Sequence, residues 1–203
     1  MKLFFYPGSC SQVPLIVAHE LDLSLQLVAV DLAKKQTADG RNFLDINPNG
    51  YVPALELDNG RVLTEAHVIA QYLTSLKPGN SLMPSGSGFE HFKMLELLNF
   101  ITSEVHKPMG SFFNPQLHPD TRAATEQLLT RRLNYLVNTL SKHDYLTGDG
   151  FTVADAYLFV VLNWANWVKF DLSPFPVLQA FVQRVATRPA VKAAQADEAK
   201  NKA

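Results

Sequence analysis

The sequence predicts an α/β domain followed by an all-helical domain. Three observations carry that expectation. Up to about Lys77 the chain alternates short strand-like runs with helical ones. From Lys77 to Gly88 it is crowded with Pro, Gly, Ser and Asn. Beyond Phe89 the apolar residues recur at helical spacing. The domains are therefore expected at 1–77 and 89–203, with 78–88 as the linker.

The elements follow in order. Lys2-Leu3-Phe4-Phe5-Tyr6 reads as a buried strand, Pro7-Gly8-Ser9 as a turn, and Ser11 to Leu21 as a helix. Leu25 to Val30 reads as a second strand, followed by a loop or short helix. Ala54-Leu55-Glu56-Leu57 alternates, Asp58-Asn59-Gly60 turns and Arg61-Val62-Leu63 returns, which is a hairpin pattern. Thr64 is placed to cap a helix running to about Leu76. The first domain thus holds four strands in the order β-α-β, then β-β-α. In the second, Phe89 to His106 reads as one long helix. Arg122 to Leu140 and Phe175 to Ala186 read as two more. Thr152 to Trp167 is apolar on most of its surface and is expected at the centre.

Composition narrows the function classes. The net charge of −1 implies no nucleic-acid or acidic-membrane partner. The apolar run Ala156 to Leu162 is far too short to span a bilayer. A single cysteine excludes an intrachain disulfide and fits a reducing compartment, so a cytoplasmic protein is expected. The histidines have no metal-ligand spacing with each other or with the cysteine, so no metal is expected.

That cysteine, Cys10, is the leading candidate for chemistry. It lies between a strand and a helix N-terminus, where amide N–H groups favour an anion and cysteine thiols are often activated. The alternative is a small buried hydrophobe with no chemical role. On the helix at 89–106, Asn99, Ser103 and His106 fall within ~60° of one another at about 100° per residue. Glu104 projects from the opposite, apolar arc, where a carboxylate needs a partner or a subunit boundary. His106 suits an acid–base role, donation to a thiolate, or a charge at a helix C-terminus. Val52-Pro53 opens the third strand, and a cis bond there would turn the Val52 backbone outward to pair with an extended ligand. Glu65 and Ala66 lie at a helix start suited to a carboxylate and an ammonium, or to simple capping. Thr152 to Asp155 resembles a capping box with Asp in place of Glu, which gives Asp155 a structural role.

Taken together, these segments resemble a known family. Met1 to Phe4 with Pro7 to Ser11, Asn47 to Leu55, and Leu63 to Ala66 resemble the N-terminal domain of cytosolic glutathione transferases. Asn99 and Glu104 to Lys107 resemble the matching helix of the bacterial beta class. Thr147 to Ala156 and Arg188 to Val191 resemble stretches of the family's C-terminal domain. The resemblance implies a thioredoxin-like domain with a mixed four-stranded sheet, then a helical bundle, in a homodimer. It implies glutathione as co-substrate, with its thiol near Cys10 and His106. It also implies that Val52 pairs with the cysteinyl part, Glu65 and Ala66 hold the γ-glutamyl end, and Lys35 reaches the glycyl end. Asn99, Ser103 and Glu104 would line the site, some from the partner subunit. The sequence departs from the family pattern at Ala66, commonly Gly or Ser, and at Phe5, commonly Tyr. Val13 excludes a two-cysteine redox motif.

Three functions are then open. One is a transferase that activates the thiol of glutathione for attack on small electrophiles, with a role in detoxification. Another is a thiol-disulfide oxidoreductase acting through a Cys10–glutathione mixed disulfide. The third is a ligand-binding protein on the same fold. Phe112, Phe113, Trp164 and Trp167 are the candidates for a second-substrate pocket between the domains.

Overall fold

The computed structural model describes residues 1–84, 86–148 and 150–201. Ser85 of the expected linker and Asp149 of the Thr147–Ala156 stretch lie outside the described residues. The chain divides into two compact units. One is Met1–Asn80 together with the segment from Thr187 onward; the other is Ser81–Ala186.

The first unit is built on a mixed sheet. Its elements are β1 (Lys2–Phe5), α1 (Gln12–Glu20), β2 (Gln26–Asp31), β3 (Gln36–Thr37), a single 3-10 turn at Phe43–Asp45, β4 (Ala54–Glu56), β5 (Val62–Thr64) and α2 (Ala66–Ser75). The strand order is β3-β2-β1-β4-β5. β1 runs parallel to β2, with Phe4 opposite Val28, and antiparallel to β4, with Leu3 opposite Leu55. Leu3, Phe4 and Phe5 are wholly buried. That explains why β1 reads as a continuous apolar run: a central strand covered on both faces has no polar side. Phe4, Val28, Val30, Phe43, Val52 and Ala54 form one core cluster, and α1 packs on α2. The sheet has one strand more than expected. β3 is two polar residues, Gln36 and Thr37, with no alternation to announce it. Thr64 ends β5 rather than capping a helix, and Glu65 takes the cap position of α2 with φ 69°.

The second unit is all helical. It comprises α3 (Phe89–Phe100), a π-helical stretch at Ile101–His106, α4 (Lys107–Ser111), α5 (Pro119–Leu140), α6 (Val153–Val168) and α7 (Pro176–Ala186). The expected single helix at 89–106 instead widens at Ile101 and continues to Ser111. Pro108 supplies the reason. It has no N–H for the carbonyl one turn back, and its ring crowds that carbonyl. The Thr102 and Ser103 hydroxyls add to this by donating to the Leu98 and Asn99 carbonyls at 2.8 and 3.0 Å. α6 is buried around nearly its whole surface, as its composition requires.

The chain then returns to the first unit as α8 (Pro189–Lys200), which packs on α1. The sequence reading assigned 89–203 to the helical domain as a whole; the segment from Thr187 onward belongs with the sheet instead. Arg188 makes a bidentate pair with Glu20 at 2.7 and 2.9 Å. Asp197 pairs with His19 at 3.0 Å. Small residues Ala190 and Ala194 face inward, so the two helices approach closely.

Candidate functional site

Cys10 sits in the turn between β1 and α1, two residues before the first helical residue. Ser11, wholly buried, shapes this turn. Its hydroxyl accepts from the Tyr6 amide and lies 3.2 Å from the Tyr6 carbonyl, while Ser9 Oγ stands 2.8 Å away. Glu198 of α8 anchors the same turn from below. It is 4% exposed, and its Oε2 accepts from the Gly8 amide at 3.0 Å and from Gln12 Nε2 at 2.7 Å. The Cys10 thiol is partly exposed and donates to the Val52 carbonyl at 3.3 Å. A thiolate has no hydrogen to give, so this contact belongs to the protonated state.

Val52 is followed by a cis peptide bond to Pro53. The loop leading to it is organised by Asn47, which is 4% exposed. Asn47 Nδ2 donates to the Tyr51 carbonyl at 2.7 Å, and its Oδ1 accepts from the Asn49 amide at 3.1 Å. Lys35, at φ 55°, reaches this loop and donates to the Gly50 carbonyl at 2.9 Å. Its Nζ also lies 5.8 Å from the Tyr51 ring centroid. Gly50 has φ 67°, and a Cβ there would come within 3.3 Å of Lys35 Nζ and 3.2 Å of Leu44. Only glycine suits that corner.

Glu65 is exposed and left-handed at φ 69°, a conformation that costs a non-glycine residue on the order of 1–3 kcal/mol and is typical of functional sites. Ala66 behind it is buried. His67 follows on α2, with Nδ1 3.2 Å from Gln71 Nε2. Burial holds the His67 imidazole below the ordinary histidine range, against the opposing pull of the Glu65 carboxylate. The start of α2 therefore sets the Glu65 carboxyl group beside the His67 imidazole.

In the second unit, Asn99 and Ser103 are exposed, as the stripe reading expects. Glu104 is part-buried and forms an ion pair with Arg132 of α5. That pairing accounts for a carboxylate in an apolar arc within a single chain. His106 ends the π-helical stretch. Its Nδ1 lies 2.6 Å from the Tyr157 hydroxyl, and its ring packs edge-on against Tyr157 and Trp164. The four aromatic candidates divide into two pairs. Phe112 and Trp164 are 7% and 4% exposed; Phe113 and Trp167 are 49% and 60% exposed. The Arg122 guanidinium lies over the Phe112 ring at 4.5 Å, and the Phe170 ring stacks with Phe112 at 6.2 Å.

The first unit thus brings together Cys10, Val52 and, through the Asn47–Pro53 loop, Lys35. Glu65 and Ala66 start a helix of the same unit. Reading the sequence missed Ser11, Asn47, His67, Tyr157 and Glu198. Asn47 had a usable signal, an Asn-Pro-Asn-Gly turn before the Val-Pro pair. Among the described residues, no group of three or more His, Cys, Asp or Glu side chains is arranged to hold a metal. No described helix is long and apolar enough to cross a membrane.

Comparison with known proteins gives concordant results. The family model for the glutathione S-transferase N-terminal domain matches residues 8–76, and the one for the C-terminal domain matches 100–189. Glutathione S-transferase GstA of Escherichia coli O157:H7 is 39% identical over 98% of both chains. A ternary complex of BphK, a bacterial glutathione S-transferase, superposes with a TM-score of 0.95 at 47% identity, covering 98% of this chain and all of the other. The beta-class enzyme of Sphingomonas chungbukensis gives 0.92 at 38% identity over 98% of both chains. A sphingomonad glutathione S-transferase in complex with glutathione gives 0.93 at 38% identity, covering 98% of this chain and 99% of the other.

Proposed function

This chain belongs to the bacterial beta class of the glutathione S-transferase family, and from that premise we propose how its residues bind glutathione and activate the thiol for attack on small electrophiles. The observation that carries the reading is the contact between Cys10 and the Val52 carbonyl. In this reading the Val52 edge pairs with the cysteinyl part of glutathione, and the contact supports it because the chain's sole thiol touches that edge. Glu65 takes the γ-glutamyl ammonium, and the start of α2 at Ala66 takes its carboxylate. Lys35 takes the glycyl carboxylate. Cys10 and His106 donate hydrogen bonds to the glutathione sulfur, which lowers the cost of its ionisation. The thiolate then forms a carbon–sulfur bond with an electrophilic alkyl or aryl group, and the electron pair leaves with the departing group. Asn99 and Ser103 are exposed and so available to a second copy of the chain; the reading includes a homodimer, a cytoplasmic site of action and a role in detoxification.

The partial exposure of Cys10 supports a second activity beside the first. Cys10 as thiolate attacks the glutathione sulfur of a mixed disulfide between glutathione and a second thiol, forming the Cys10–glutathione disulfide and releasing the second thiol as its thiolate. A second glutathione thiolate then attacks the glutathione sulfur, releasing Cys10 and glutathione disulfide. Cys10→Ala separates the two. Conjugation of an activated chloroarene is expected to fall less than about 10-fold, since the His106 donor remains. Disulfide exchange should vanish. Unchanged values for both activities would remove Cys10 from the site. Absence of glutathione binding by calorimetry in the parent protein would defeat the reading as a whole.

A further inference from the structure

The two nitrogens of an imidazole are not interchangeable, and the partner of one decides what the other can do. His106 Nδ1 lies 2.6 Å from the Tyr157 hydroxyl. Tyr157 is 2% exposed and sits on α6, the most deeply buried helix of its unit. The two rings meet at 88° with centroids 5.6 Å apart. Trp164, two turns further along α6, meets the imidazole at 78° and 4.8 Å. Both aromatic side chains are therefore fixed on one rigid element, and they hold the His106 ring from two directions.

The direction of the hydrogen bond follows from acidity. A phenol, with a pKa near 10, is a far better donor than the N–H of a neutral imidazole. The favoured arrangement is Tyr157 O–H donating to Nδ1, which leaves the hydrogen of the neutral ring on Nε2. When the ring is protonated both nitrogens carry hydrogens. Nε2 is then a donor in either state.

We propose that Tyr157 is a positioning residue for His106: its hydroxyl fixes the ring and its Nε2–H tautomer, so that His106 donates from Nε2 to the sulfur of glutathione. This rests on the reading of His106 as a donor to sulfur. The consequence is a donor that needs no positive charge. A histidine acting only as imidazolium would fade as the pH rose through its own titration, just where more glutathione is ionised. A neutral imidazole locked with its hydrogen on Nε2 keeps donating through that range.

Tyr157→Phe keeps the ring and removes only the hydroxyl. Circular dichroism and thermal melting would confirm that it folds. Nitrogen-15 spectra of His106 in the full-length protein should show one tautomer, protonated at Nε2, in the parent. In the variant they should show an average of the two. The kcat for conjugation should fall about 3- to 10-fold, with the KM for glutathione within about twofold. The loss should grow as the pH rises above the histidine titration. His106→Ala, measured in parallel, tests the underlying reading and should cost at least about 10-fold in kcat. If His106→Ala left conjugation intact, both the reading and the proposal would fall. If His106→Ala were impaired but Tyr157→Phe left either the tautomer or the kcat and pH profile unmoved, the proposal alone would fall.

Discussion

Asp155 is wholly buried, and its two oxygens receive three donors: the Leu146 amide at 2.8 Å, the Thr152 amide at 2.9 Å and the Thr152 hydroxyl at 2.7 Å. Burial pushes its carboxyl up to about 6, and these hydrogen bonds oppose the rise. Because the folded value lies above the unfolded one of 3.8, the contribution of this group to stability is fully present below about pH 4. It is lost as the pH climbs through about 6, by roughly 3 kcal/mol in all. Asp155→Asn removes that dependence and turns an NH₂ toward donors. We expect it to cost about 2–4 kcal/mol at pH 7. Denaturant titrations at several pH values should show the gap to the parent widening between pH 6 and pH 4. Asp155 was legible from the Thr-x-x-Asp spacing alone, because both partners are local. Tyr157 was not. It lies 51 residues from His106, and an aromatic on an apolar helix looks like any other core residue.

At the scale of elements, α8 holds the Cys10 turn through one carboxylate. Glu198→Ala would leave the Gly8 amide and the Gln12 side chain without their shared acceptor in a buried setting. The expected cost is about 2–4 kcal/mol, with weaker glutathione binding because the turn carrying Cys10 loosens. Glu198→Gln keeps one acceptor oxygen and should cost less. Denaturation and calorimetry on the two variants check both statements, and equal behaviour of Ala and parent would refute the anchoring role. This link is hard to read from sequence, since Glu198 sits in a weakly patterned helix 190 residues from Gly8. The π-helical stretch is a different case. A wheel drawn at a constant angle ran through Ile101–His106 as if regular, yet Pro108 was in plain view as the cause of the break.

For the molecule as a whole, the turn-rich stretch after Lys77 marked where the first unit is left, because loops carry Pro, Gly and Ser for backbone reasons that show locally. Its return at Thr187 had no such mark beyond Arg188-Pro189, and what defines it is the Glu20–Arg188 pair and the seat of α8 on α1. Removing the chain from Thr187 onward should therefore abolish glutathione binding and sharply reduce soluble yield. The loss would come from exposing α1, and limited proteolysis of the product should spare residues 81–186 while cutting the sheet. Intact glutathione binding in that truncation would mean that α8 is dispensable.

The Glu198 contact also sets an order of events during translation. Gly8 leaves the ribosome about 190 residues ahead of its partner, which at bacterial-to-eukaryotic rates of ~5–20 residues per second is a wait of roughly 10–40 s. The unit begun first is closed second, after the helical unit inserted within it has been made. Nascent chains arrested just short of α8 should carry a protease-resistant helical unit and a sheet still open to chaperones.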